Sequence, residues 1–559
     1  MDRELIGVDP SASGHRASRS EIFARHGIVA TSHPLASQIG LEILRDGGTA
    51  MDAAIGSNAA LGLMEPVSNG IGGDLFAIVW DPKTQRLHGF NGSGRSPMGL
   101  SKETFEEEGI TDEIPLFGRY SLSTPGCVDG WYQLHGEFGN LPMERILKPT
   151  IGYAFDGHPV PEIIARSWKR EIESRSRDPS SCPGLLDTFA PGGRYPEKGD
   201  IWKNPALGDT LASIAENGRD AFYEGPIAQV IDKQMKRLGA YLSYEDLARH
   251  EGNWIGPVST NYRGWDIWEL PPNGQGIATL QMLNILEGYD LSSFGFGSAK
   301  HLHAFIEAKK LAYEDRARFY ADPDFSQAPV ETLISKDYAT EKRTLINPQK
   351  AALDYSPGIL ERGDTVYLCA ADSSGMMVSL IQSNFIGMGS GVCIPELGFG
   401  FQNRGASFNF QPGHANEYRP GKRPFHTIIP AFVTEGGRPL MAFGVMGGSM
   451  QPQGHVQVIV NLKDFGMNLQ EAGDAPRVNH VRSSQPFGSP REMTEGGTVY
   501  LENGFSEVAR ADLAAMGHQI DMISGKGLFG GYQGIWRDPE SGVYTGASES
   551  RKDGQAVGY

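Results

Sequence analysis

The chain has 559 residues, enough for three or four ordinary domains or one large interleaved body. Hydrophobic residues at 39% and charged residues at 21% allow a sizeable core and exclude a chain that is disordered throughout. A net charge of −17 with no basic stripe argues against a nucleic-acid partner.

In chain order, "PLASQIGLEILRD" (34–46) predicts an amphipathic helix with Pro34 in its first turn and Gly47 past its end. "AMDAAIGSNAALGLMEP" predicts a second helix, almost uncharged after Asp52 and therefore buried. "GIGGDLFAIVWDP" turns through glycines into a strand from Leu75 to Trp80. The middle, about 125–345, reads as largely helical, with a surface loop in "LDTFAPGGRYPEKGD" and a strand running into a turn in "WDIWELPPNGQG". From 365 onward strands dominate. "TVYLCAAD" and "MMVSLIQSN" form a hairpin across a short Gly-containing turn, and "HTIIPAFV" and "PLMAFGVM" are further strands. A helix at 468–475 opens with Asn468 and carries Glu471 three residues on, a capping box. Strands and helices come in separate runs, which favours antiparallel sheets flanked by helices, an α+β fold, over a doubly wound sheet.

Several motifs lead nowhere. Gly525-x-Gly527-x-x-Gly530 has dinucleotide-fingerprint spacing, but "GYQGIWRDPESG" after it is strand and turn, so no helix N-terminus receives a pyrophosphate. No G-x-S-x-G elbow occurs. His301 and His303 lie two apart on a helix and face different ways, so a metal site there is not expected. Cys127, Cys182, Cys369 and Cys393 form no C-x-x-C and read as buried free thiols of a reducing compartment. The first thirty residues lack an apolar signal core, and no run reaches the ~18 apolar residues of a membrane span, so the cytoplasm is the expected location.

Eight segments, in order, carry a resemblance along most of the chain. They are "GGTAMDAAIGSNAALGLMEPVSNGIGGDLF", "STPGCVDGW", "FGNLPMERILKPTIGYAFDGHPV", "ELPPNGQG", "GDTVYLCAADSSGMMVS", "GKRPFHTIIPAF" with "GVMGGS", and the ending "GASESRKDGQAVGY". In these the sequence resembles the gamma-glutamyltransferase family of N-terminal-nucleophile (Ntn) hydrolases, nearest in motif to its non-glutamyl members. The resemblance implies a four-layer αββα sandwich of two stacked antiparallel sheets flanked by helices. It also implies self-cleavage between Asp364 and Thr365 into a large piece, 1–364, and a small piece, 365–559, that remain associated in one interleaved domain.

The chemistry follows from the residue types. A Thr hydroxyl is a poor nucleophile without a base. An N-terminal Thr carries its own, since an α-amino group titrates near ~8. The resemblance makes Thr365 that residue, Ser383 the hydroxyl beside its amine, and Gly447 and Gly448 the oxyanion donors. The glutamyl-binding positions depart from the family pattern. Ser407 and Arg404 stand where an acid and a Gln or Glu bind the α-amino group, Phe385 replaces an Asn, and His426 and Thr427 replace paired serines. Ser93 takes the place of an Arg, with Arg95 two residues along, and the loop between Phe408 and Lys422 is too short for a lid.

An Arg does not bind an ammonium. The expected substrate is therefore an amide of a small carboxylate or dicarboxylate without an α-amino group, oxamate-like or glutaryl-like, with Arg404 and Arg95 forming a bidentate clamp. A γ-glutamyl hydrolase or transpeptidase acting on glutathione-type substrates is the alternative reading, and a catalytically silent scaffold a third. No metal or organic cofactor is required. Partners beyond the small-molecule amide and the chain's own two pieces are not implied, and a homo-oligomer is compatible with the sequence without being demanded by it.

Overall fold

The computed structural model describes residues 17–353, 364–488, 493, 495–521 and 528–559. Two seven-stranded sheets, their neighbouring strands antiparallel, stack face to face. The first runs, edge to edge, Gln555–Gly558, Ile28–Thr31, Asp364–Ala371, Met377–Phe385, Asp74–Asp81, Arg86–Asn91 and Asn253–Ile255. The second runs Ile22–Ala24, Tyr544–Ser548, Gly531–Arg537, Arg438–Met446, Ala431–Glu435, Trp265–Glu269 and Val258–Tyr262.

Strand periodicity explains the layers. Along Asp364–Ala371 the residues Tyr367, Cys369 and Ala371 pack against Phe432, Ala442 and Ile535 of the second sheet. Val366, Leu368 and Ala370 alternate to the opposite face and meet helices. The helices on that outer face include Pro34–Arg45 and Ala50–Met64. The outer face of the second sheet is covered by Gly276–Leu286, Ala299–Phe319 and Met450–Lys463. The result is the αββα sandwich that the resemblance implied.

Local elements follow their chemistry. Pro34 occupies the first turn of its helix, and Gly47 takes φ +89 beyond the end. In Ala50–Met64 every residue but Gly62 is buried, and its capping box, Thr49 with Asp52, escaped the sequence reading. Asn468 and Glu471 form the expected box before Leu469–Asp474. All four cysteines are free and buried.

Two expectations need correction. "HTIIPAFV" is strand only from Ala431. Pro430 has no N–H to give a ladder, and the amides of His426 and Ile429 go instead to Asn273 O and Gln451 Oε1. "LDTFAPGGRYPEKGD" is not all surface loop: Leu185–Phe189 is a short helix whose Leu185 and Phe189 enter the core. Gly525 and Gly527 lie outside the described residues, while Gly530 takes φ +76.

Candidate active site

Thr365 sits near the start of the hairpin strand, buried, on the row that continues through Tyr367 and Cys369 toward the second sheet. The pairing slips here: Asp364 faces Phe385 while Val366 faces Gln382. Such a bulge puts an extra residue in one strand and re-aims the side chains beside it. Ser383 and Asn384 thus lie across from Thr365, and the Thr365 hydroxyl reaches Ser383 Oγ at 3.3 Å. The distance is long for an O–H···O bond, as is common before a substrate tightens a site. Gln451 Nε2 approaches the same Thr365 oxygen at 3.5 Å. The floor beneath is glycine by necessity: a Cβ on Gly73 would lie 2.4 Å from Gln382 Nε2 and 2.5 Å from Ser383 O.

A glycine turn of the second sheet is linked to Thr365 through Gln451, whose N–H donates to Gly448 O. Strand Arg438–Met446 ends in Gly447 (φ +124) and Gly448 (φ +59), and Met450–Lys463 follows at once. The carbonyls of both glycines are held by Met450 N and Gln451 N. Among the described residues no protein group accepts from the N–H of either glycine. Two amides just ahead of a helix, with no acceptor among the described residues, can donate to a negatively charged oxygen.

Beside Ser383, in register on the neighbouring strand, lies Asp74. Its Oδ2 accepts from Arg404 Nε at 3.0 Å and from His426 Nε2. Arg404 is 1% exposed, and its Nη1 donates to Thr427 Oγ1 at 2.7 Å. Its guanidinium lies 4.6 Å from the centre of the Phe385 ring, a cation–π contact, and Phe385 itself is held at φ +80. Arg404 Nη2, His426 Nδ1, Asp74 Oδ1 and Ser407 Oγ are buried with no partner among the described residues. Burial alone would raise the Asp74 carboxyl; His426 and Arg404 outweigh it and hold it below its ordinary value. Burial, reinforced by Arg404 and opposed by Asp74, takes His426 down to about 4, so its ring is neutral at pH 7.

Contacts thus run from Thr365 to Ser383 and, through Gln451, to Gly448, and from Asp74, the strand neighbour of Ser383, to His426, Arg404 and, through Arg404, Thr427; Gly447 and Ser407 lie beside these in the chain. The structure does not bring Arg95 to them. Arg95 is about a third exposed and bonds Asp322, Asp324 and the Gly421 carbonyl. Ser93 is buried and bonded to Asn91 and Asn273. The Phe408–Lys422 segment is packed down, with Asn409, Asn416 and Tyr418 buried. Asp74 and Gln451 were missed in the sequence. An acid opening a strand as apolar as "DLFAIVWD" was a signal that could have found Asp74.

His301 and His303 do diverge: His301 Nδ1 accepts from Gly297 N, and His303 Nδ1 meets His518 Nε2 at 2.8 Å. With Glu307, His303 and His518 form the group of potential metal ligands among the described residues. The group already contains a cation, because Lys310 donates to Glu307 at 2.7 Å.

The comparisons agree with this geometry. Residues 36–559 match the Gamma-glutamyltranspeptidase family. The glutathione hydrolase-like YwrD proenzyme of Bacillus subtilis is 35% identical over 95% of this chain and 98% of its own. The acylase ACY 1 proenzyme of Pseudomonas sp. strain SE83 is 34% identical over 98% of this chain and 96% of its own, and the oxamate amidohydrolase proenzyme of Klebsiella pneumoniae 32% over 97% and 100%. Among solved structures, cephalosporin acylase from Bacillus halodurans superposes with a TM-score of 0.90 at 42% identity, covering 99% of both chains. The chain belongs to the gamma-glutamyltranspeptidase family and is an amide hydrolase of the N-terminal-nucleophile type.

Proposed function

We propose that the chain is a precursor cut between Asp364 and Thr365 into 1–364 and 365–559, and that the freed Thr365 hydrolyses an amide of a small carboxylate or dicarboxylate. In the cut, the Thr365 hydroxyl attacks the Asp364 carbonyl, the acyl group moves from nitrogen to oxygen, and water resolves the ester. Thereafter the α-amino group of Thr365 takes the hydroxyl proton as the oxygen attacks the substrate carbonyl. Gly447 and Gly448 N–H would meet the oxyanion, the amine leaves with the proton, and water releases the acid from the acyl-enzyme. Ser383 would keep the Thr365 side chain and amine in line.

The buried Arg404 guanidinium carries the substrate reading. Its Nη2 has no partner among the described residues and can donate to a carboxylate. The clamp differs from the bidentate fork expected from the sequence. Nε and Nη1 are committed to Asp74 and Thr427, so Nη2 alone faces an incoming acid, and Arg95 serves elsewhere. Phe385 would offer the acyl chain a ring where an amide would have offered polar contacts. The acylase and oxamate amidohydrolase relatives are consistent with this substrate class, while the glutathione hydrolase-like relative from Bacillus subtilis is consistent with the glutathione-type alternative. Turnover of oxamate, glutaryl-p-nitroanilide and γ-glutamyl-p-nitroanilide separates the two. The glutaryl compound is expected to outrun the γ-glutamyl one by kcat/KM. The reverse order, or strong stimulation by a dipeptide acceptor, would favour the glutamyl reading.

A further inference from the structure

The segment "ELPPNGQG" has no part in the chemistry above, yet it touches both halves of the site. Gln275, its penultimate residue, is fully buried just before the helix Gly276–Leu286. Its Nε2 donates to Thr427 O at 2.7 Å and to Gly448 O at 2.9 Å. Its Oε1 accepts from Arg316 Nη1 at 2.7 Å. Arg can only donate, so the amide has one orientation, and both of its N–H hydrogens are spent on those two carbonyls. Arg316 is itself fully buried. It lies 3.7 Å from the centre of the Tyr313 ring and donates to Gln485 Oε1 at 2.6 Å, while the Tyr313 hydroxyl donates to Ser449 O. Two residues earlier, Asn273 O accepts from His426 N at 2.9 Å and Asn273 Nδ2 donates to Pro424 O at 2.8 Å.

We infer that Gln275, anchored by Arg316, is a positioning residue that fixes the Gly447–Gly448 turn and the His426–Thr427 wall in one register. This rests on the proposed roles of those two elements. Gly448 stands at φ +59, a conformation open to glycine without strain; Thr427 carries Arg404 on its hydroxyl. One side-chain amide therefore sets where the oxyanion is met relative to where the acid is held.

The test is Gln275→Glu, which keeps the volume and the acceptor for Arg316 but removes both donors. In folded, processed enzyme kcat should fall about 10- to 100-fold. The fall should be equal for glutaryl-p-nitroanilide and for an acyl-p-nitroanilide lacking the carboxylate, whereas KM should rise only for the glutaryl compound. A purely structural role would lower the unfolding midpoint without this split. Unchanged kcat in Gln275→Glu would overturn the inference. If that variant does not fold, Arg316→Lys should show the same split more weakly, and unchanged constants there would overturn it equally. Gly448→Val keeps the two claims apart, because a β-branched residue cannot hold φ +59 without strain and must displace the turn and its N–H. Full activity in Gly448→Val defeats the oxyanion role itself; its loss beside an unaffected Gln275→Glu defeats only the positioning role.

Discussion

At the residue scale the site is a set of paired polar groups buried between two sheets. Thr365 and Ser383 were legible because a hairpin with a short turn brings residues eighteen apart face to face. Arg404 lies 330 residues from Asp74, and no local pattern ties the two together. Arg95 shows the reverse error. Lying two residues from a functional position put it near in sequence, but Asp322 and Asp324 draw its side chain away. Arg404→Lys keeps the charge beside Asp74 and loses the planar fork. It should raise KM for the glutaryl substrate at least about tenfold, the value of one charge-assisted hydrogen bond, while leaving self-cleavage intact on a denaturing gel. An unchanged KM would remove Arg404 from substrate binding.

At the element scale, the glycine-rich turns, the capped helices and the hairpin followed from local chemistry. What escaped was chemistry contributed from a distance. The β-branched run at 426–430 looks like strand, and its amides are claimed by Asn273 and Gln451, which no window of sequence reveals. The bulge opposite Thr365 is equally silent, since it is a property of register between two strands. The capping box of Ala50–Met64 offers a plain check. Thr49→Ala removes the acceptor for Asp52 N and should cost about 1 kcal/mol in denaturant unfolding. No change would mean that Asp52, which also accepts from Asn140 N and Leu141 N, carries that turn alone.

At the scale of the whole molecule, strands from before and after position 364 are interleaved in both sheets. In the first, Ile28–Thr31 lies between Gln555–Gly558 and Asp364–Ala371. Cleaved pieces so interleaved should elute together and unfold in a single transition. Elution of the 365–559 piece alone would contradict that. Acid should weaken the whole body. Burial takes His33, His455 and His518 down to about 3 from an ordinary 6.5. The unfolded chain binds those protons first as pH falls, so their contribution is complete above about pH 6.5 and is lost toward pH 3. Each such group forfeits about 2 kcal/mol by pH 5, and the unfolding midpoint should drop accordingly between pH 7 and 5. A midpoint flat across that range would show that these rings take up protons in the folded state as readily as in the unfolded one.

In the proposed mechanism hydroxyl and base belong to one residue, exposed by a cut at a single bond. Intact-mass spectrometry of the purified protein beside Thr365→Ala tests this directly. Two masses are expected for the native chain, matching 1–364 and 365–559, and one uncut, inactive mass for the variant. A variant that is cut at the same bond, or an uncut native chain with full activity, would contradict the mechanism.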